Sequence, residues 1–313
     1  MKRIFRTSAA LLAAALLVPA GLTACSSDTS AEPSGAEAST LAATDDEASV
    51  EGTEGTDEDA ADDATSSSDH LRIGIFMNRP GVGWMNEDGT PSGFDVDVAA
   101  YVAWKLGYPP SEVEWIETNP SDRVPFLQDG TVDLVVATVA ISEKLREDID
   151  FAGPYLIAAE DMVVQADNVS ITGVATFPGH KICAQLNSNV EKRLIEMFGN
   201  QLDIVHRDSV SDCTEAVIAG EADAAASNDL TLAGIAAADE FFGKVRLLGS
   251  KFQTERLGIA IPKGQTEMCE AINGALNEMI ADGSWQRFVD RHTAGTGYKP
   301  KEYEYPPVID SCQ

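Results

Sequence analysis

Two short runs in this chain repeat one pattern, and each leads to a polar residue at the same distance. Asp129-Gly130-Thr131-Val132-Asp133 parallels Ala219-Gly220-Glu221-Ala222-Asp223, and Thr138 and Asn228 each stand five residues after the last aspartate. In both runs a glycine ends a helix and a short apolar strand begins. Thr138 and Asn228 therefore fall at the C-terminal ends of strands, where open α/β sheets bind ligands. A hydroxyl and a carboxamide in that position hold a small polar solute through hydrogen bonds. Bond-making chemistry has little support. There is no Gly-x-Ser-x-Gly, no His-Glu-x-x-His and no phosphate-loop motif. His70, His180, His206 and His292 are scattered, and none adjoins a Cys or Ser in a nucleophile context. The absence of Cys-x-x-Cys argues against zinc and thioredoxin-type sites. No metal or cofactor is expected.

The elements that place these residues alternate strand with helix. Leu71, Ile73, Ile75 and Met77 alternate as a strand does, and Phe94, Val98, Tyr101 and Val102 fall on one helical face. Strands are expected at Val113–Ile116 and Val132–Thr138, with a helix at Arg123–Gln128 between them. The second half repeats the order, with strands at Ile182–Ala184, Asp203–His206 and Ala222–Ala226. Helices at Val190–Phe198, Ser211–Ala219 and Thr231–Ala238 follow those strands. A strand at Leu257–Ile261 and helices from Thr266 and Ser284 close the body. This alternation predicts an α/β fold of two lobes, each a mostly parallel sheet flanked by helices. The lobes would face each other across a cleft lined by Thr138 and Asn228.

The N-terminus carries a different signal. Lys2, Arg3 and Arg6 precede an uncharged Ala- and Leu-rich stretch, which marks an export signal over residues 1–24. Leu22-Thr23-Ala24-Cys25 resembles the lipobox of bacterial lipoproteins, which implies a lipid on Cys25 and attachment to the outer face of the cell membrane. Residues 26–69 hold 14 acids, no Lys or Arg and no aromatic residue, too little apolar surface to offset ordering. They read as an acidic tether. Residues 70–313 carry 37 acids against 19 bases, a net of −18, which excludes a nucleic-acid partner and a polybasic membrane patch. In an exported chain Cys183, Cys213, Cys269 and Cys312 suggest two disulfides, with three pairings open.

Further motifs carry a family resemblance. Gly93-Phe94-Asp95-Val96-Asp97-Val98-Ala99, Leu127 to Asp133, Asp150-Phe151-Ala152-Gly153-Pro154-Tyr155, Leu257-Gly258-Ile259-Ala260 and Asp282-Gly283-Ser284-Trp285 occur in the order seen in family 3 extracellular solute-binding proteins. The likeness runs over residues 70–292. Arg79-Pro80-Gly81-Val82-Gly83 and the cysteine positions are most similar to actinobacterial glutamate-binding lipoproteins. The resemblance implies a type II periplasmic-binding-protein-like fold in two lobes, closing on a polar amino acid by hinge bending. It implies no enzymatic activity, and permease and ATPase subunits of an ABC importer as partners. A monomer is expected. Lobe 1 would be residues 70–159 plus 257–292, lobe 2 residues 160–256, and 293–313 a tail. Crossings are placed near Ala158–Glu160 and Thr254–Leu257. With that division, Cys183 would pair with Cys213 inside lobe 2, and Cys269 with Cys312 would tie down the tail. A dehydratase-like enzyme on the same fold, or a sensing or scaffold lipoprotein, stays open as an alternative.

The resemblance also implies a site. The family holds the ligand carboxylate with an Arg and the ammonium with an Asp. In the run Ala140-Ile141-Ser142-Glu143-Lys144-Leu145-Arg146, Leu145 stands where the Arg belongs and Arg146 follows it. Asn228 stands where the Asp belongs, and Asp229 follows. Three readings are open: an unusual ligand or remodelled loops, ordinary surface charges at Arg146 and Asp229, or local shifts that restore the family arrangement. Asn187-Ser188-Asn189 matches the loop that receives the carboxylate. Asn78, Arg79 and Trp84 are expected on the loop after the first strand, where the family packs side chains on the ligand. The expected site is therefore Asn78, Arg79, Trp84, Thr138, Ala140, Arg146, Ser188, Asn189 and Asn228.

Overall fold

The structure is a computed structural model that describes residues 70–300 and 306–312. The expected signal peptide, Cys25 and the acidic tether lie outside those residues. In chain order the elements begin with β1 (Leu71–Ile75), β2 (Asn78–Arg79), β3 (Gly83–Met85), β4 (Pro91–Ser92), α1 (Phe94–Lys105) and β5 (Val113–Glu117). Then come α2 (Arg123–Gln128), β6 (Leu134–Ala140), α3 (Glu143–Arg146), β7 (Ile149–Gln165), β8 (Lys181–Gln185), α4 (Asn189–Phe198) and β9 (Asp203–Arg207). The chain continues through α5 (Val210–Ile218), β10 (Ala224–Asn228), α6 (Asp229–Ala237), β11 (Val245–Leu247), β12 (Gln253–Pro262), α7 (Thr266–Ala281) and α8 (Ser284–His292).

Nine strands form one sheet in the order β5-β1-β6-β12-β7-β10-β8-β9, with β11 also on β7. The sequence predicted a mostly parallel sheet in each lobe, the two joined by crossings. Here the crossings are the long strands β7, 17 residues, and β12, which run through the middle as an antiparallel ladder. On one side β1 pairs parallel with β5 and β6; on the other β8 pairs parallel with β9 and β10. Each side has its own apolar layers. Val136, Leu156 and Ile259 pack with Phe94, Leu276 and Trp285, while Val135 and Phe151 face Leu127. Across the ladder, Cys183, Val217 and Ile235 make one layer and Ile182, Leu194 and Phe177 another. Such two-faced burial explains the unbroken apolar run of β6, Leu-Val-Val-Ala-Thr-Val-Ala, every residue of which is buried. The result is a two-lobed α/β fold whose lobes share one ladder.

The expected boundaries at 159/160 and 256/257 fall inside β7 and β12, where Ala159 pairs with Thr254 and Glu160 with Gln253. Strand ends run later than expected, to Ala140 in β6 and Asn228 in β10. The segment after β1, expected as a loop, forms a small three-stranded sheet of β2, β3 and β4, in which Asn78 pairs with Trp84 and Trp84 with Ser92. Its β2–β3 turn meets α6 backbone to backbone: an ideal Cβ at Gly81, where φ is +75°, would lie 2.3 Å from the Gly234 Cα. Cys183 is joined to Cys213 and Cys269 to Cys312, with Cα separations of 5.3 and 6.0 Å. The second bridge holds the tail beside Asn273, whose Nδ2 donates to the Asp310 carbonyl. Among the described residues no helix is long and apolar enough to cross a membrane.

Asp229 braces the ladder from α6. Its carboxylate accepts from the Ala159 amide at 3.0 Å and pairs with Lys251 at 2.9 Å, with only 2% of its side chain exposed. It is no surface charge. Removing one partner of such a pair leaves buried polarity unmatched. Asp229→Ala should lower the unfolding free energy by roughly 3 kcal/mol in urea denaturation.

Candidate functional site

A cavity of about 560 Å³, its open mouth included, lies at the C-terminal ends of β6, β8 and β10. Its walls take Thr138 from β6, Gln185 from β8, Ser188 and Asn189 at the start of α4, and Asn228 from β10. Arg79 and Arg123 enter from β2 and α2, and Glu160 and Glu255 from the central ladder. This position follows from the topology, because parallel strands deliver their C-terminal ends and the following helix N-termini to one edge.

Arg79 is 6% exposed. Its guanidinium lies 3.6 Å from the Phe76 ring centroid and donates from Nη1 to Thr138 Oγ1 at 3.3 Å. Nη2 donates to Gln185 Oε1, so the side chain spans from the first half of the sheet to the second. Arg123 lies 5.2 Å from the same ring and donates to the Ala137 carbonyl at 2.6 Å. Burial, and then the charge of Arg123, lower the Arg79 guanidinium to about 9. Burial lowers Arg123 to about 10. Both stay protonated at neutral pH, and the Nε of each has no hydrogen-bond partner. Two neighbouring cations with free donors, Arg79 buried and Arg123 half-buried, can receive an anion.

The opposite charge comes from the ladder. Glu160 is 1% exposed, and neither of its carboxylate oxygens has a hydrogen-bond partner. Burial first, then neighbouring Glu255, lift its carboxyl to about 7. Burial also raises Glu255, against a hydrogen bond from Asn189 and the charges of Arg193 and Arg123.

Backbone strain concentrates here. Thr138 (φ 46°) and Asn187 (φ 62°) are the non-glycine residues with positive φ among the described residues, and both line the cavity. Such conformations persist where surroundings over-determine them. Buried Asp95 accepts from the Thr138 amide at 2.8 Å and from the Tyr155 hydroxyl at 2.9 Å, fixing Thr138. Burial raises the Asp95 carboxyl to about 6, against both hydrogen bonds. Asn187 is held by Glu191, whose Oε2 accepts the Asn187 amide at 2.6 Å.

The expected site is only partly assembled. Arg79, Thr138, Ser188, Asn189 and Asn228 line the cavity. Ala140 lines a second space of about 1500 Å³ that shares Arg123 and Glu255 with the first. Leu145 and Lys144 line that space too, whereas Arg146 lines neither. One residue on a helix is about 100° of rotation, and the Arg146 guanidinium instead lies 5.7 Å from the Phe151 ring centroid. Trp84, 39% exposed, and Asn78 also lie outside both walls. Asn228 faces the cavity, but its Oδ1 caps α6 by accepting the Thr231 amide at 2.8 Å. Ser188 likewise caps α4 through the Glu191 amide. Sequence reasoning missed Arg123, Glu160, Gln185 and Glu255. The one available signal was Glu160-Asp161 inside the apolar run from Tyr155 to Val164, since charges are seldom buried there without a reason.

A cleft between two α/β lobes, walled by paired cations and paired carboxylates, defines a solute-binding protein. Residues 71–295 match the family of bacterial extracellular solute-binding proteins, family 3, and the chain belongs to that family. It is 33% identical over 235 residues to the glutamate-binding protein GluB of Corynebacterium efficiens, covering 72% of this chain and 79% of that one. It is 26% identical to the glutamine-binding protein GlnH of an ABC transporter from Bacillus subtilis, over 71% of this chain and 80% of that one. Among solved structures, an ancestral arginine-binding protein bound to arginine superposes with a TM-score of 0.64 at 30% identity, covering 72% of this chain and 98% of its own. The protein is therefore an extracellular solute-binding protein and not an enzyme.

Asp95 positions Thr138 without lining the cavity. Asp95→Asn keeps one acceptor and loses the other. It should cost about 1–3 kcal/mol by thermal or urea unfolding.

Proposed function

We propose that this chain captures an amino acid with an acidic side chain and hands it to the permease of an ABC importer, from a lipid anchor at Cys25. The carrying observation is that Arg79 and Arg123, each with an unpartnered Nε, line one cavity together with Glu160 and Glu255. A dicarboxylate with one ammonium satisfies that set: two anionic groups for the arginines, one cation for the glutamates. An unpaired charge taken into such a site carries a large desolvation cost, so the solute must match in both signs. The glutamate named for the Corynebacterium relative has this chemistry.

Residues 70–159 with 257–292, and 160–256, act as the two lobes, and the β7–β12 ladder acts as the hinge. Arg79 supports this, because its bonds to Thr138 and Gln185 hold one lobe to the other across the cavity. An entering carboxylate takes over the guanidinium and closes the same gap. Charged hydrogen bonds are worth about 1.5–3 kcal/mol. By titration calorimetry L-glutamate or L-aspartate should bind, and Arg79→Ala should weaken that binding roughly ten- to a hundredfold. No heat with either amino acid would sink the reading.

The anchor has its own test. Lys2, Arg3 and Arg6, the apolar stretch and Leu22-Thr23-Ala24-Cys25 support export and lipidation. Cells fed labelled palmitate should mark the protein in the membrane fraction, and Cys25→Ser should abolish the label. Equal labelling of both would exclude Cys25 as the anchor.

A further inference from the structure

Resting on the reading of the solute as an acidic amino acid, we propose that Glu160 on β7 receives its ammonium group, and that Asn228 does not. Asn228 and Glu160 are direct partners in the β7–β10 ladder, so the two side chains compete for one place at the cavity edge. They offer opposite chemistry. The Asn228 Oδ1 is taken up by the Thr231 amide, which leaves its Nδ2 as the free group toward the cavity. Nδ2 is a donor, as an ammonium is, and two donors do not pair. Glu160 is the reverse case: a carboxylate sealed from solvent, lining the cavity, with both oxygens unmatched. Buried polar atoms are nearly always partnered, so such a group marks a missing partner.

Of the charged groups that act on Glu160, two are acidic and one is basic. Glu255 from β12 adds negative charge beside it, and Glu196 from α4 adds more at a distance. Arg193 from α4 works in the opposite sense. Arg79 and Arg123 line the same cavity, and their donors serve carboxylates. Glu160 therefore stands at the acidic end of a bipolar pocket, and Asn228 Nδ2 is left to donate to a ligand carboxylate.

Burial raises the Glu160 carboxyl to about 7, so near neutral pH the empty site is partly protonated. An arriving ammonium favours the ionised form. Its binding expels the proton to solvent, and affinity falls as pH drops below about 7.

The experiment compares L-glutamate with glutarate, which keeps both carboxylates and lacks the amine. Calorimetry on the full protein from pH 5.5 to 8 should show a preference for glutamate that shrinks toward low pH. Glu160→Gln should weaken glutamate binding roughly ten- to a hundredfold and flatten its pH profile. Glutarate binding by the variant should hold or tighten, which also shows that the variant is folded. Glu160→Gln combined with Asn228→Asp moves the charge to the neighbouring strand and keeps a capping acceptor for α6; part of the glutamate affinity should return. Unchanged glutamate affinity and pH profile in Glu160→Gln would overturn the inference while the acidic-solute reading stands. Binding of neither compound by the wild type would overturn both.

Discussion

Antiparallel pairing of β7 with β12 carries the chain twice past the same line, and the strands of both lobes are hung from it. Three demands meet there. The ladder must join two sheet halves, so its strands are buried and apolar over most of their length. It must also offer carboxylates to the cavity, so Glu160 and Glu255 interrupt that apolar run. Finally it must hold its line under those like charges. Asp229 contributes here, since it engages the Ala159 amide one residue before Glu160 and carries Lys251 with it.

The cavity is organised by burial more than by number of charges. In a body of net −18, two arginines would ordinarily be surrounded by screening acids and water. Here both lie against the Phe76 ring, and Arg79 is almost wholly enclosed. Low local dielectric strengthens each attraction and each repulsion. The lowered guanidinium values and the raised glutamate value both express it, because each charged form lacks the partner that would stabilise it. A bound zwitterion with a second acid relieves all of them together.

What the sequence disclosed depended on how local each feature is. Thr138 and Asn228 were legible because an internal repeat places both at strand ends. Ser188 and Asn189 were legible because a helix start follows a strand. Arg123 opens an ordinary short helix, and nothing near it in sequence says that β6 and Phe76 will enclose it. Glu160 and Glu255 meet only through pairing of segments nearly a hundred residues apart. The small sheet of β2, β3 and β4 was read as a loop, since strands of two or three residues leave no periodicity to detect. The displaced charges illustrate a related limit. Position in a motif places Leu145 at the second space and Arg146 outside both, but the fate of Asp229 is decided by Lys251 and Ala159, which no motif contains.

The bare contact between Gly81 and Gly234 sets a mechanical stop. With no side chain on either, the β2–β3 turn rests on the backbone of α6, and the two surfaces can come no nearer. A methyl at Gly234 would lie 2.7 Å from the Pro80 carbonyl oxygen, inside contact distance, and would act as a shim. Arg79 stands two residues before Gly81, so any spacing introduced at the stop is transmitted at once to the guanidinium that bridges the cavity. The fit around the solute is thereby gauged from outside the pocket, by two positions that never touch it.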